Sequence, residues 1–164
     1  MIDIDPGTLG VSLLCLVAFI APFIFQRTKI KRLEKQQDIS FQTLSAEYAA
    51  KPDCIERWRN TYQIGLDRNK KKLIYQRFGE NPISVGVDLH SIEKVNLEEK
   101  SHTVIIRKEK HVVCEYLALK LQPRNHLEPA LMLEFYDGDR FVDLLGERVL
   151  AKEWNNLINQ ALHS

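Results

Sequence analysis

The chain has 164 residues, 45% of them apolar and 27% charged, with a formal net charge of +1. That length holds one domain of ordinary size plus an appendage, and that composition belongs to a folded chain. The near-zero charge excludes a protein that attracts polyanions through its overall charge, and three scattered cysteines (Cys15, Cys54, Cys114) exclude a disulfide framework and a CxxC site.

The charge is uneven along the chain. Residues 1–25 carry two acids and no Lys or Arg, residues 26–51 carry six basic against three acidic side chains, and residues 52–164 carry 17 of each sign. The uncharged run from Pro6 to Gln26 spans roughly 31 Å as a helix, about one hydrocarbon core. A cleaved signal peptide would need a basic start and a small-residue cleavage site, and a core helix would need a polar face; the run has none of these. Residues 1–26 therefore predict a single N-terminal transmembrane anchor. Arg27, Lys29, Lys31, Arg32 and Lys35 form a basic juxtamembrane cluster, which by the positive-inside bias keeps the following chain in the cytoplasm and the N-terminus outside.

Residues 27–51 lack Gly and, before Lys51-Pro52, any helix breaker, so a linker helix is expected there. Ile30, Gln37, Phe41, Leu44 and Tyr48 share one stripe. Two readings stand: a dimerising coiled coil, or a helix lying on its own domain or on the bilayer.

Past Pro52 the apolar period changes from 3.6 to 2. Strands are expected in "YQIGLD", "KLIYQRF", "ISVGVDL", "IEKVNLEE", "HVVCEYLALKL" and "ALMLEFYD", with "HTVIIR" as a short strand or the arm of a loop. Residues 100–111 find no clear place in this pattern. The chain then returns to a helical period, with Val149, Leu150, Trp154, Leu157, Ile158 and Ala161 on one face. The fold class is α+β: an N-terminal transmembrane helix and linker helix, then an antiparallel β-barrel or curved sheet of about seven strands over residues 52–164, closed by a C-terminal helix. Trp58 is expected to pack where the linker enters and Trp154 to fill the open end of the sheet.

"IGLDRNKKKLIY", "DLHSIEKV", "LEFYD" and "AKEWNNLIN" carry a resemblance. Strands followed by one closing helix with a central Trp resemble a pleckstrin-homology-like (PH-like) domain, and the whole arrangement is similar to small bacterial single-pass proteins with such a domain in the cytosol. The resemblance implies a bacterial inner-membrane location. It also directs attention to the basic residues around the first hairpin: Arg68, Lys70, Lys71, Lys72 and Arg77 are candidate contacts to an anionic lipid headgroup. The same lysines also read as the solvated turn of a hairpin, because Asp67-Arg68-Asn69 is turn chemistry.

No phosphate loop, dinucleotide fingerprint, nucleophile elbow or zincin motif occurs. The five histidines are isolated from one another and from the cysteines, which predicts no metal site. Asp137-Gly138-Asp139 reads as a tight turn. The expectation is a non-enzymatic binding module with no cofactor and no nucleic-acid partner. It would act at the inner face of the membrane through lipid headgroups or protein contacts. The alternative is an assembly factor, tethered to the membrane, that meets a protein partner or its own homodimer through the linker helix or a sheet edge.

Overall fold

In a computed structural model, residues 6–106 and 109–163 are described, with only the backbone described for 6–14, 17, 21–25, 28, 106 and 111. The chain divides into two compact units, residues 1–42 and 43–164.

The first unit is built on helix α1, Pro6–Glu47, whose last residues belong to the second. The expected transmembrane anchor is corrected here: no helix, among the described residues, is long and apolar enough to cross a membrane. Much of the expected span has no described side chains. From Gln26 onward α1 carries exposed Arg27, Lys29, Lys31, Arg32 and Lys35, and such charges keep a helix surface out of hydrocarbon. The membrane and transmembrane assignments fall with the span.

The second unit holds two antiparallel sheets and a closing helix. Sheet one has the order β1 (Cys54–Trp58), β2 (Tyr62–Asp67), β3 (Lys72–Arg77), β4 (Ile83–Asp88). Sheet two has the order β5 (Ile92–Ile106), β6 (Glu109–Pro123), β7 (Leu131–Asp137). Helix α2, Glu147–His163, turns Ala151, Trp154, Ile158 and Ala161 into the core. The alternating residues Tyr62, Ile64, Leu66, Leu73 and Tyr75 of sheet one meet Leu117, Leu119, Leu121, Leu133 and Phe135 of sheet two, all fully buried. The amphipathic period of each element is what lets one apolar face close on another.

The expected barrel is also corrected. No ladder joins β4 to β5 or β1 to β7, so the sheets remain separate. Two local causes are visible. Asp88 accepts from the N–H of His90 at 2.9 Å and its carbonyl accepts from the Ser91 hydroxyl at 2.7 Å, which holds a one-turn 3-10 helix (Leu89–Ser91) that redirects the chain before β5. At β7, side chains do what a neighbouring strand would do: Tyr75 donates its hydroxyl to the Glu134 carbonyl at 2.7 Å, and Trp58 Nε1 donates to the Phe135 carbonyl at 2.8 Å. Those carbonyls are satisfied without a further strand, so the barrel has no hydrogen-bonding reason to close there. Trp58, expected at the linker's entry, instead stacks between Tyr62 and Phe135 in the core. Trp154 is buried there too.

Residues 100–111 resolve into a ribbon. "IEKVNLEE" and "HTVIIR" form one 15-residue strand, β5, which pairs with 15-residue β6 along nearly its whole length. β7 pairs with β6 only between Tyr116 and Leu121, so the outer halves of β5 and β6 run on as a two-stranded arm.

Candidate docking edge on the three-stranded sheet

The basic hairpin predicted from sequence lies between β2 and β3, and the structure puts most of its charges to internal use. Asp67 is buried; its carboxylate accepts from the N–H of Lys70 at 2.9 Å, which sets the turn, and from the N–H of Lys51 at 2.7 Å. Burial alone would raise the Asp67 pKa, but the N–H groups of Lys51 and Lys70 outweigh it and hold the carboxyl below its usual value. Arg68 pairs with Asp53 at 2.5 Å. Lys70 Nζ reaches the Ala49 carbonyl at 2.5 Å. Ala49 follows the last turn of α1 at φ 51°, where its N–H bonds Ala46 and that of Ala50 bonds Ser45, so Lys70 supplies a cation at a helix C-terminus.

Arg77 is buried rather than presented: Nη1 meets Glu134 Oε2 at 2.7 Å, and Tyr62 donates its hydroxyl to Oε1 of the same carboxylate at 2.6 Å. This node ties sheet one to β7. Lys71 and Lys72 are half-buried and make no ion pair among the described residues. Of the five hairpin candidates these two remain uncommitted. The basic cluster Arg27 to Lys35 lies exposed on α1, in the first unit.

A second place was not singled out by the sequence. β7 fills the lane beside β6 as far as Asp137, and then the chain turns away at Asp137-Gly138-Asp139. The last hydrogen bond in that lane runs from the Gly138 N–H to the Glu115 carbonyl at 2.7 Å. A Cβ on Gly138 would stand 3.0 Å from that carbonyl, so glycine permits the close approach. Beyond it, β6 continues with no strand on that side among the described residues.

Where the chain turns away lies a groove of about 650 Å³. Its lining comes from both faces of the sheet. A bulge at Glu115, where Lys100 pairs with Tyr116 but Ser101 pairs with Cys114, keeps Cys114 on the core face with Tyr136. Lys100, His102, Tyr116 and Met132 line the groove from the opposite face. Burial pushes the Cys114 thiol above its ordinary pKa, which leaves it a small apolar wall rather than a nucleophile.

The far wall is Phe141, held from two directions. Tyr136 donates its hydroxyl to the Phe141 carbonyl at 2.9 Å, the Arg59 guanidinium sits 4.7 Å from the ring centroid, and Arg59 pairs in turn with Glu147 of α2. The apolar side chains Ile105 and Val112 of the arm are 71% and 70% exposed, and Val142 beside Phe141 is fully exposed. Among the described residues no group of three His, Cys, Asp or Glu could hold a metal ion.

Short β-branched runs in "HTVIIR" and "HVVC" were the sequence signal for this arm. What hid it was the lack of alternation: Ile105 and Val112 are exposed, and only Cys114 reaches the core. No family model, no curated protein and no solved structure matches this chain.

Proposed function

We propose that the protein is a non-enzymatic interaction module that docks a partner protein on the open edge of its three-stranded sheet. One observation carries the reading: β6 runs on from Cys114 to Glu109 with no strand on its β7 side among the described residues, and a groove opens where β7 turns off. Parts of the other edges of sheet two are covered. Tyr75 and Trp58 cap β7, and the side-chain amide of Asn159 bonds both the N–H and the carbonyl of Val95 on β5. An uncapped strand edge is a template for pairing with another chain. The order of elements, strands and then one closing helix, supports keeping the likeness to PH-like modules within this reading. Lipid headgroups move to second place because Arg68, Lys70 and Arg77 already have internal partners.

The test places a photo-crosslinking side chain at Val113 in the groove, and separately at Glu153 on the exposed side of α2. A partner segment that is crosslinked from position 113 and not from 153, mapped to the same stretch in repeated preparations, supports edge docking. Identical adducts from both positions would sink it. So would salt-sensitive sedimentation with phosphatidylglycerol vesicles that a Lys71→Glu/Lys72→Glu variant abolishes, with no adduct at 113.

A further inference from the structure

We infer that the stretch of α1 from Leu16 to Leu33 packs against the same stretch of a second copy of this chain, parallel and in register. This surface lies in the first unit and does not depend on the groove beside β6.

α1 runs without a break from Pro6 to Glu47. Along it Leu16, Phe19, Phe23, Gln26, Ile30 and Leu33 are spaced by alternating steps of three and four residues, which places them on one seam of the helix. The seam continues through Gln37 to Leu44, and there its surroundings change: Leu44 is buried in the second unit. Upstream, Leu16, Phe19, Ile30 and Leu33 are 42% to 73% exposed. An apolar stripe left bare gains by being covered.

Charge chooses the occupant. In a parallel pair of helices the residue just before a core position faces the residue five places further on in the partner helix. With Ile30 and Leu33 in the core, Lys29 of each copy faces Glu34 of the other, so opposite charges meet on both sides of the seam. Lys29 is exposed, Glu34 is half-buried, and neither makes an ion pair among the described residues. The other flanking pairs along this stretch are position 15 with 20, 22 with 27 and 36 with 41, and none of them joins two charges. Ile followed by Leu at successive core positions is also the combination that favours two parallel strands.

An antiparallel pair fits less well. One that covers the same exposed stretch sets position 16 opposite 33 and position 19 opposite 30. Lys29 then flanks position 22 and Glu34 flanks position 13, both uncharged, so the two ion pairs are lost. Gln26 would lie opposite the apolar position 23, whereas in the parallel pair it meets its own copy, an amide that both donates and accepts. Sliding the antiparallel pair until Arg27 meets Glu34 sets Phe19 opposite Leu44, which is already buried.

Sedimentation equilibrium of the full chain measures the dimer, with circular dichroism and the urea midpoint as checks on folding. The expected result is a monomer–dimer equilibrium that Lys29→Glu weakens about tenfold, since two attractive pairs become two contacts between glutamates. Adding Glu34→Lys to Lys29→Glu restores the parent affinity. Gln26→Cys, once oxidised, gives a disulfide between the two copies of position 26, mapped by mass spectrometry. A chain that stays monomeric at every concentration overturns the inference, whether or not it sediments with lipid vesicles. So does a dimer indifferent to Lys29→Glu, or a double variant as weak as the single one. A dimer that obeys the charge swap but forms no link between the two positions 26 overturns the parallel direction.

Discussion

The ring of Tyr48, just past the end of α1, occupies the place a side chain on Gly86 would need: a Cβ there would stand 2.3 Å from Tyr48 Cγ. Gly86 sits in β4 opposite Ile74, which is in turn opposite Gly65 on β2 and then Ile55 on β1, so this row across sheet one alternates two isoleucines with two glycines. The bare backbone at position 86 is what admits an aromatic ring onto the strand.

Gly86→Ala is expected to lower stability by about 1–3 kcal/mol, the usual cost of overpacking, because the obstructing atom is the root of the ring and cannot swing aside alone. Urea denaturation measures it. Combining it with Tyr48→Ala should recover part of the loss, and full additivity of the two would show that the ring does not meet position 86.

Glu134→Gln should cost about 3 kcal/mol or more. It leaves the buried Arg77 guanidinium without its counter-charge, and a buried charge stripped of its partner is worse than no pair at all. Arg77→Met combined with Glu134→Leu should be milder than the two single changes summed. Tyr62→Phe, which removes one donor to the same carboxylate, is the lesser perturbation, about 1 kcal/mol.

The Asp67 carboxyl sets a pH dependence with a definite sign. Its pKa in the folded chain lies below the ordinary 3.8, so the folded state binds the proton less readily than the unfolded one. Its stabilisation is therefore complete above about pH 5 and is lost as pH falls through 3.8 and then through the folded value. Acid titration of the urea midpoint should show a shallower drop in Asp67→Asn than in the parent chain. Equal slopes would assign the acid sensitivity to other carboxylates.

Much of the fold could be read from the chain because its rules are local. Alternation in "YQIGLD" and "ISVGVDL" gives strands, Asp67-Arg68-Asn69 gives a turn, and the stripe through Trp154 and Ile158 gives the closing helix. β1 was not read: "CIERW" has no clean alternation, and its strand state comes from pairing with β2. The transmembrane span, read from the absence of charge over residues 6–26, and the single barrel or curved sheet, read from strand count, were both overturned. Hydropathy says how much a segment prefers hydrocarbon, and strand number says how much sheet exists. Neither says which strand lies beside which.

The candidate site shows the same division. Sequence made the hairpin lysines conspicuous because charge is visible residue by residue. It could not show that Lys70 ends on the Ala49 carbonyl, or that Arg77 meets Glu134 from 57 residues away. The open lane was hidden for the converse reason. No residue of it is unusual, and it exists only because β7 stops at Asp137 while β6 runs on to Glu109. Sequence by itself determined the elements, their apolar faces and the turn between β2 and β3, since these follow from period and local hydrogen bonding. Tertiary structure alone decided which charges are consumed and which edge stays open, since both depend on partners brought together from distant parts of the chain.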